Sequence, residues 1–190
     1  MKLSSDERSK LHVALETAQT RTSARLAVVT VPISDRYALY PLVLGGIAAF
    51  LTGAVLAIFF RHMPLREAFF IVALVAAAAT FLLDIMVVRL AVVPRHAKMW
   101  ECWELAHRAF ASRILAQNDR KTGVLLFVSF GERYVEVVTD RDVDRHIPQS
   151  VWDALIKDFL AEAKQGRAGA ALPKMVDASA DVLAQYYPAA

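Results

Sequence analysis

Two long apolar runs, separated by seven residues, restrict this chain more than any other feature. Residues 40–60 read YPLVLGGIAAFLTGAVLAIFF and carry no charge. Residues 68–90 read AFFIVALVAAAATFLLDIMVVRL. Each is about as long as a helix must be to cross a hydrocarbon core of roughly 30 Å. The connection RHMPLRE at residues 61–67 is so short that the two helices must run antiparallel. Inside a soluble protein, helices this apolar all round would need cover on every side. The roughly 130–140 residues outside the runs make a domain too small to supply it. The expectation is a transmembrane helical hairpin over residues 38–93, with the lipid bilayer as its surroundings.

Basic residues set its expected direction. Arg21, Arg25, Arg36, Arg89, Arg95 and Lys98 flank the runs, against Arg61 and Arg66 in the connection. That bias places both termini in the cytoplasm and the chain in the cell (inner) membrane. Residues 1–30 contain no apolar stretch of the kind a cleaved export signal needs. Gly45, Ala49 and Gly53 recur every four residues along one face of the first run. Small residues at that spacing let helix backbones approach closely. The expected neighbour is the second run, where Ala73, Ala76, Ala77 and Thr80 offer small surfaces; the same face would serve a second copy in a homo-oligomer. Asp84 is the acidic residue inside the second run, which ends on Arg89 and Leu90. One carboxyl makes no ion path, so a structural role is expected, bonded to Thr80 or hydrated near the headgroups.

The flanks have ordinary soluble composition. Ser4 and Glu7 form a capping-box pattern ahead of a helix over residues 4–20. LAVVTV at 26–31 and VLLFVS at 124–129 read as buried strands, and YVEVVT at 134–139 as a third. FGER at 130–133 makes the turn of a β-hairpin. Helices are expected over 97–117, from Trp152 to a stop at Gly166, and from Leu172 to Tyr187. The fold class is α/β: a small mixed sheet flanked by helices and interrupted by the hairpin. Its parts are residues 1–37, 38–93 and 94–190. The long connection makes the first two strands parallel; the second and third are antiparallel.

LAVVTV after an amphipathic helix, TGVLLFVSFGERYVEVVTDRDV at residues 122–143 and LAQYYP at 183–188 carry a resemblance. The chain resembles the TPM domain family, in its bacterial branch with a membrane hairpin inserted in the domain. That resemblance implies an α/β sandwich around a mixed sheet and no single reaction: some members are phosphatases, some bind calcium, others assist membrane complexes. Asp119 matches an acidic position common in such domains, whereas Arg25 stands where many relatives carry an acidic residue.

Motifs for catalysis are missing. No phosphate-binding glycine loop, nucleophile elbow or zinc-ligand spacing occurs. The net charge of +3 comes without a basic run, which points away from nucleic acid. The single cysteine, Cys102, rules out an internal disulfide and is expected to pack on a helix face. Asp140, Asp142 and Asp144 alternate as at the start of a calcium loop. Arg145 replaces the required glycine and no glutamate stands at the twelfth position, so an EF-hand is excluded. A solvated loop neutralised by Arg141 and Arg145 is expected instead. Folding the strands about Gly131 sets Asp119 opposite Asp142, with Asp140 and Asp144 nearby. Calcium, magnesium or a basic partner surface would relieve such a carboxylate edge. The expected function is a non-enzymatic, membrane-anchored module that binds or helps assemble a membrane-associated partner. The alternative is a phosphatase-like hydrolase using carboxylates around Asp119 and Asp142 with a divalent cation.

Overall fold

The computed structural model describes residues 3–34, 37, 39–116 and 122–189, with the backbone alone at 86, 87 and 89. The chain divides into two compact units, Met1–Ser34 with Met99–Ala190, and Asp35–Lys98.

The first unit opens with α1 (Ser5–Arg21), begun by the full capping box: the Ser4 side chain accepts from the Glu7 amide and Glu7 reaches back to the Ser4 amide. β1 (Arg25–Val31) follows. The chain then enters the second unit, which contains α2 (Leu39–Phe59), α3 (Leu65–Asp84) and α4 (Met86–Val92). α5 (Arg95–Phe110) begins in that unit and continues into the first, ending in a π-helical turn, Ala111–Leu115. β2 (Gly123–Ser129), β3 (Tyr134–Thr139), α6 (Arg141–His146), α7 (Gln149–Lys164) and α8 (Ala168–Tyr186) complete the first unit.

The sheet has the order β1-β2-β3. β1 runs parallel to β2, from Arg25 opposite Gly123 to Val31 opposite Ser129. β2 and β3 are antiparallel, with Val124 opposite Thr139 and Ser129 opposite Tyr134. Side chains alternate across a strand, so each strand feeds two cores. Leu26, Val124, Leu126, Val128 and Val137 point to one face, where Ala18, Trp152, Phe159, Leu172, Val176 and Leu183 of α1, α7 and α8 cover them. Leu125, Phe127 and Val138 point to the other, under Cys102, Ala106 and Phe110 of α5 and Ile114 of the π turn. β2 is buried at every position, which is why its sequence is a continuous apolar run. Each fully buried side chain of this kind contributes about 1.5–3 kcal/mol relative to exposure. Arg21 ties α1 to α8 through Asp177 at 2.8 Å and Asp181 at 2.7 Å.

The turn between β2 and β3 differs from expectation in where its special residue lies. Arg133 takes the left-handed conformation, with φ 54°. Gly131 is required for a different reason. Its amide donates to the Pro32 carbonyl at 2.8 Å, and a Cβ there would lie 2.7 Å from that same oxygen.

In the second unit, α2 and α3 pack side by side as a hairpin. At about 1.5 Å per residue each is roughly 30 Å long, enough to cross a membrane. In their most apolar stretches only 6% of α2 and none of α3 is buried. Gly45 is buried against α3: a Cβ there would come 2.1 Å from Thr80 Oγ1 and 3.3 Å from the Ala76 carbonyl. Ala49 and Gly53 are half-buried, and Gly53 faces Val72. The second apolar run is not one helix. α3 starts at Leu65, on Pro64, and stops at Asp84; Ile85 leaves the helical region with ψ 124° before α4 begins. Asp84 thus marks a helix end and not a helix interior.

Candidate functional site

The acidic stretch after β3 is helical, and this changes the role of its first carboxylate. Asp140 is the N-cap of α6: its Oδ1 accepts from the amides of Asp142 at 3.0 Å and Val143 at 2.9 Å. Its Oδ2 accepts from the Gly123 amide at 2.7 Å, while the Asp140 amide donates to the Gly123 carbonyl. Both oxygens are therefore engaged by backbone. The residue fastens the end of β3 and the start of α6 to the first residue of β2. Expectation had a solvated loop here; α6 is too short for any hydrophobic period to announce it.

Asp142 looks outward from the first turn of α6. Its Oδ2 accepts from Tyr187 Oη at 3.0 Å and from the Thr122 hydroxyl at 3.4 Å. His146, one turn later, sets Nδ1 2.8 Å from the Asp142 carbonyl and 3.0 Å from Tyr187 Oη. The Tyr187 phenol is pushed up to about 12, by burial first and then by donating to the Asp142 carboxylate. Asp144 accepts from the Thr139 hydroxyl. Asp119 lies outside the described residues. An open groove of about 540 Å³ runs beside these groups, lined by Phe110, Thr139, Asp140, Arg141, Asp142 and Arg145. Neither arginine pairs with a carboxylate among the described residues. Nor is any group of three histidine, cysteine, aspartate or glutamate side chains among them arranged to hold a metal ion.

A second polar cluster, absent from the sequence reading, sits at the opposite end of the sheet. The Glu132 carboxylate accepts from the Ser34 amide at 2.9 Å, the Ser34 hydroxyl at 2.7 Å and the Ser129 hydroxyl. Cys102 donates its thiol proton to Ser34 Oγ at 3.4 Å. Burial pushes the Cys102 thiol up to about 11, and the side chain is wholly enclosed. It has neither the thiolate character nor the access of a nucleophile. Next to it on the same sheet face, Tyr134 donates to Glu136 Oε2 at 2.9 Å. Burial raises the Glu136 carboxyl above its ordinary value, against the lowering effect of the Tyr134 bond and of His107. The one sequence signal for this cluster was Glu132 following the turn glycine; its partners Ser34 and Ser129 come together only when β1 pairs with β2.

Chemically, the two ends differ. The Glu132 cluster is satisfied by its own donors and holds the chain where β1 ends. The Asp142 groove offers a carboxylate, an imidazole and two arginines to solvent.

The TPM domain family model matches residues 75–182, more than half of the chain. The match begins within α3, so α1 and β1 lie outside it. No curated protein matches the sequence. Among solved structures, the NMR structure of the BA42 protein from the psychrophilic bacterium Bizionia argentinensis is similar. It superposes with a TM-score of 0.59 at 13% identity, over 100% of this chain and 87% of that one, a likeness of fold. With more than half of its length matched by that domain, the chain belongs to the TPM domain family.

Proposed function

We propose that this is a membrane-anchored TPM module of the branch with an inserted hairpin, which binds or helps assemble a membrane-associated partner. In this reading α2 and α3 cross the cell membrane, with both termini in the cytoplasm and residues 61–67 outside. The observation that carries it is the exposure of α2 and α3. Two helices some 20 residues long, apolar on all sides and almost unburied, present far more apolar surface than water tolerates on a soluble protein. Lipid solvates such surface, and the satisfied backbone of a helix is what lipid requires. The start of the family match within α3 supports an insertion between β1 and the remainder of the domain. The assembly role rests on the engagement of Asp140 by backbone and the protonated, enclosed Cys102. Reporter fusions active only outside the cytoplasm test the topology: they stay silent at both termini and respond in the 61–67 loop. Photo-crosslinkers on the exposed faces of α2 and α3, used in native membranes, test the assembly role. A discrete crosslinked membrane protein supports it; lipid adducts alone remove it.

One observation favours a second reading, a phosphatase-like hydrolase. Arg141 and Arg145, without carboxylate partners among the described residues, share a groove with Asp142. Guanidinium groups in that state suit a phosphoryl group, and calcium or magnesium would join through Asp142, with Asp119 as the second carboxylate. Hydrolysis of an aryl phosphate by the purified chain, with and without those cations and abolished by Asp142→Asn, would favour it over the assembly role.

A further inference from the structure

The end of the α/β unit where β1 stops carries an unusual combination of groups. Two apolar grooves meet at Phe130. One, of about 440 Å³, has Val128, Val135, Phe159 and Leu160 as its floor and Arg133 and Lys164 at its rim. The other, of about 350 Å³, has Leu3, Leu11, Leu15 and Pro32 as its floor and Arg8 at its rim. Arg8, Arg133 and Lys164 are exposed, and none pairs with a carboxylate among the described residues. On the other side of the sheet, the contact of Cys102 with Ser34 fixes the early part of α5 at this same end. There Trp100 and Trp103 stack with ring centroids 5.2 Å apart, 55% and 41% exposed, and Trp103 lies 4.2 Å from the His107 ring. The chain leaves this unit after Ser34 for the unit of apolar helices and returns from it at Met99.

Exposed indoles on one side of the sheet and cations without carboxylate partners among the described residues on the other, all at one end of the unit, match a single kind of neighbour. Tryptophan is amphipathic and collects at the headgroup level of bilayers. Lysine and arginine at that level are drawn to anionic lipid. A protein partner would need its own acidic and apolar surface, whereas a bilayer supplies both at the point where the chain connects to its apolar helices. We propose that this end of the α/β unit is a binding surface for anionic lipid headgroups. Trp100 and Trp103 enter the headgroup layer, and Arg8, Arg133 and Lys164 meet the phosphates. This deepens the membrane-anchored reading and rests on it.

The test uses the full chain in nanodiscs of phosphatidylcholine, with or without phosphatidylglycerol, in both cases with brominated acyl chains that quench tryptophan. The third tryptophan, Trp152, is wholly buried in the core. A Trp100→Phe, Trp103→Phe variant keeps Trp152 alone, so its difference from the parent isolates the surface pair without disturbing the core. The expected result is strong quenching of that pair in phosphatidylglycerol discs, weakened by salt, and reduced to the phosphatidylcholine level by Arg8→Glu, Arg133→Glu and Lys164→Glu together. Equal quenching in both lipids, or quenching by aqueous acrylamide instead, overturns the proposal; the acrylamide outcome leaves the surface to a protein partner. Phe50→Trp in the two-phenylalanine background separates the two failures. If that α2 probe is quenched while the surface pair is not, the hairpin stands and the headgroup surface falls. If the α2 probe is silent too, the membrane reading fails and takes this proposal with it.

Discussion

Tyr187 and Asp142 are joined by a 3.0 Å hydrogen bond in which the phenol donates to the carboxylate, across 45 residues of sequence. It ties the end of α8 to the first turn of α6 beside the groove. Asp140, two residues earlier, does a different job with the same chemical group, since its oxygens serve three amides.

These two carboxylates should respond unequally to mutation. Asp140→Ala removes a helix cap and leaves the Gly123 amide without its partner, at a cost of about 2–3 kcal/mol. Tyr187→Phe removes one partly exposed bond, at about 1 kcal/mol. Unfolding in detergent gives both values, and amide exchange should accelerate first at Gly123, Asp142 and Val143 in the Asp140 variant.

Adjacent glycines in α2 should behave oppositely. A methyl at Gly45 meets Thr80 Oγ1, while one at Gly46 meets nothing within 4 Å. Gly45→Ala should destabilise the α2–α3 contact by about 1–3 kcal/mol through overpacking. Gly46→Ala should be neutral or slightly stabilising through helix propensity. Adding Thr80→Ala to Gly45→Ala should restore most of the loss. Thermal unfolding in one detergent compares the four chains.

Stability should fall as pH rises through the Glu136 range. Burial raises this carboxyl above 4.5, so the folded state holds its proton more tightly than the unfolded chain does. Such a group favours folding fully below 4.5, and the advantage is lost as pH climbs through the folded value. Glu136→Gln keeps an acceptor for Tyr134 and carries no charge. It should therefore exceed the parent in stability at neutral pH, with the difference closing below that range.

Cys102 should be nearly inert in the folded protein. A thiol at about 11 holds roughly a hundredfold less thiolate at neutral pH than an ordinary one, before its enclosure is counted. Alkylation followed by mass spectrometry should show labelling in denaturant and almost none in native detergent. Rapid native labelling would show that α5 opens from the sheet.

The strands and the hairpin were legible because their signals are local. β1 and β2 are continuous β-branched and apolar runs, β3 alternates beyond a turn, and α2 is an uncharged stretch of one span's length. Ser4 and Glu7 announced α1 through a bond between near neighbours. What escaped depended on distant partners or on elements too short to show a period. α6 has six residues, so the alternating aspartates read as a loop and Asp140 as a cation candidate, when its oxygens are taken by Gly123 and its own helix. The break at Ile85 directly follows Asp84, a single carboxyl in an otherwise apolar stretch, which reads as a polar residue inside a span and not as a helix end. The Ser34–Glu132–Ser129 cluster exists only because β1 and β2 are neighbours in the sheet.

The ladder between β1 and β2 also acts as a parity rule. Seven residues of each strand pair directly, from Arg25 with Gly123 to Val31 with Ser129, and everything between them in sequence is an excursion from one sheet. Any excursion through a bilayer must then contain an even number of crossings, because an odd number would put the two strands on opposite sides. Loss of α2 or α3 alone would be more damaging than loss of both: the shortened chain could keep its sheet or its remaining span, but not the two together. Reversing the hairpin end for end preserves the count. The ladder therefore fixes the parity of any crossings and leaves both their number and their direction open.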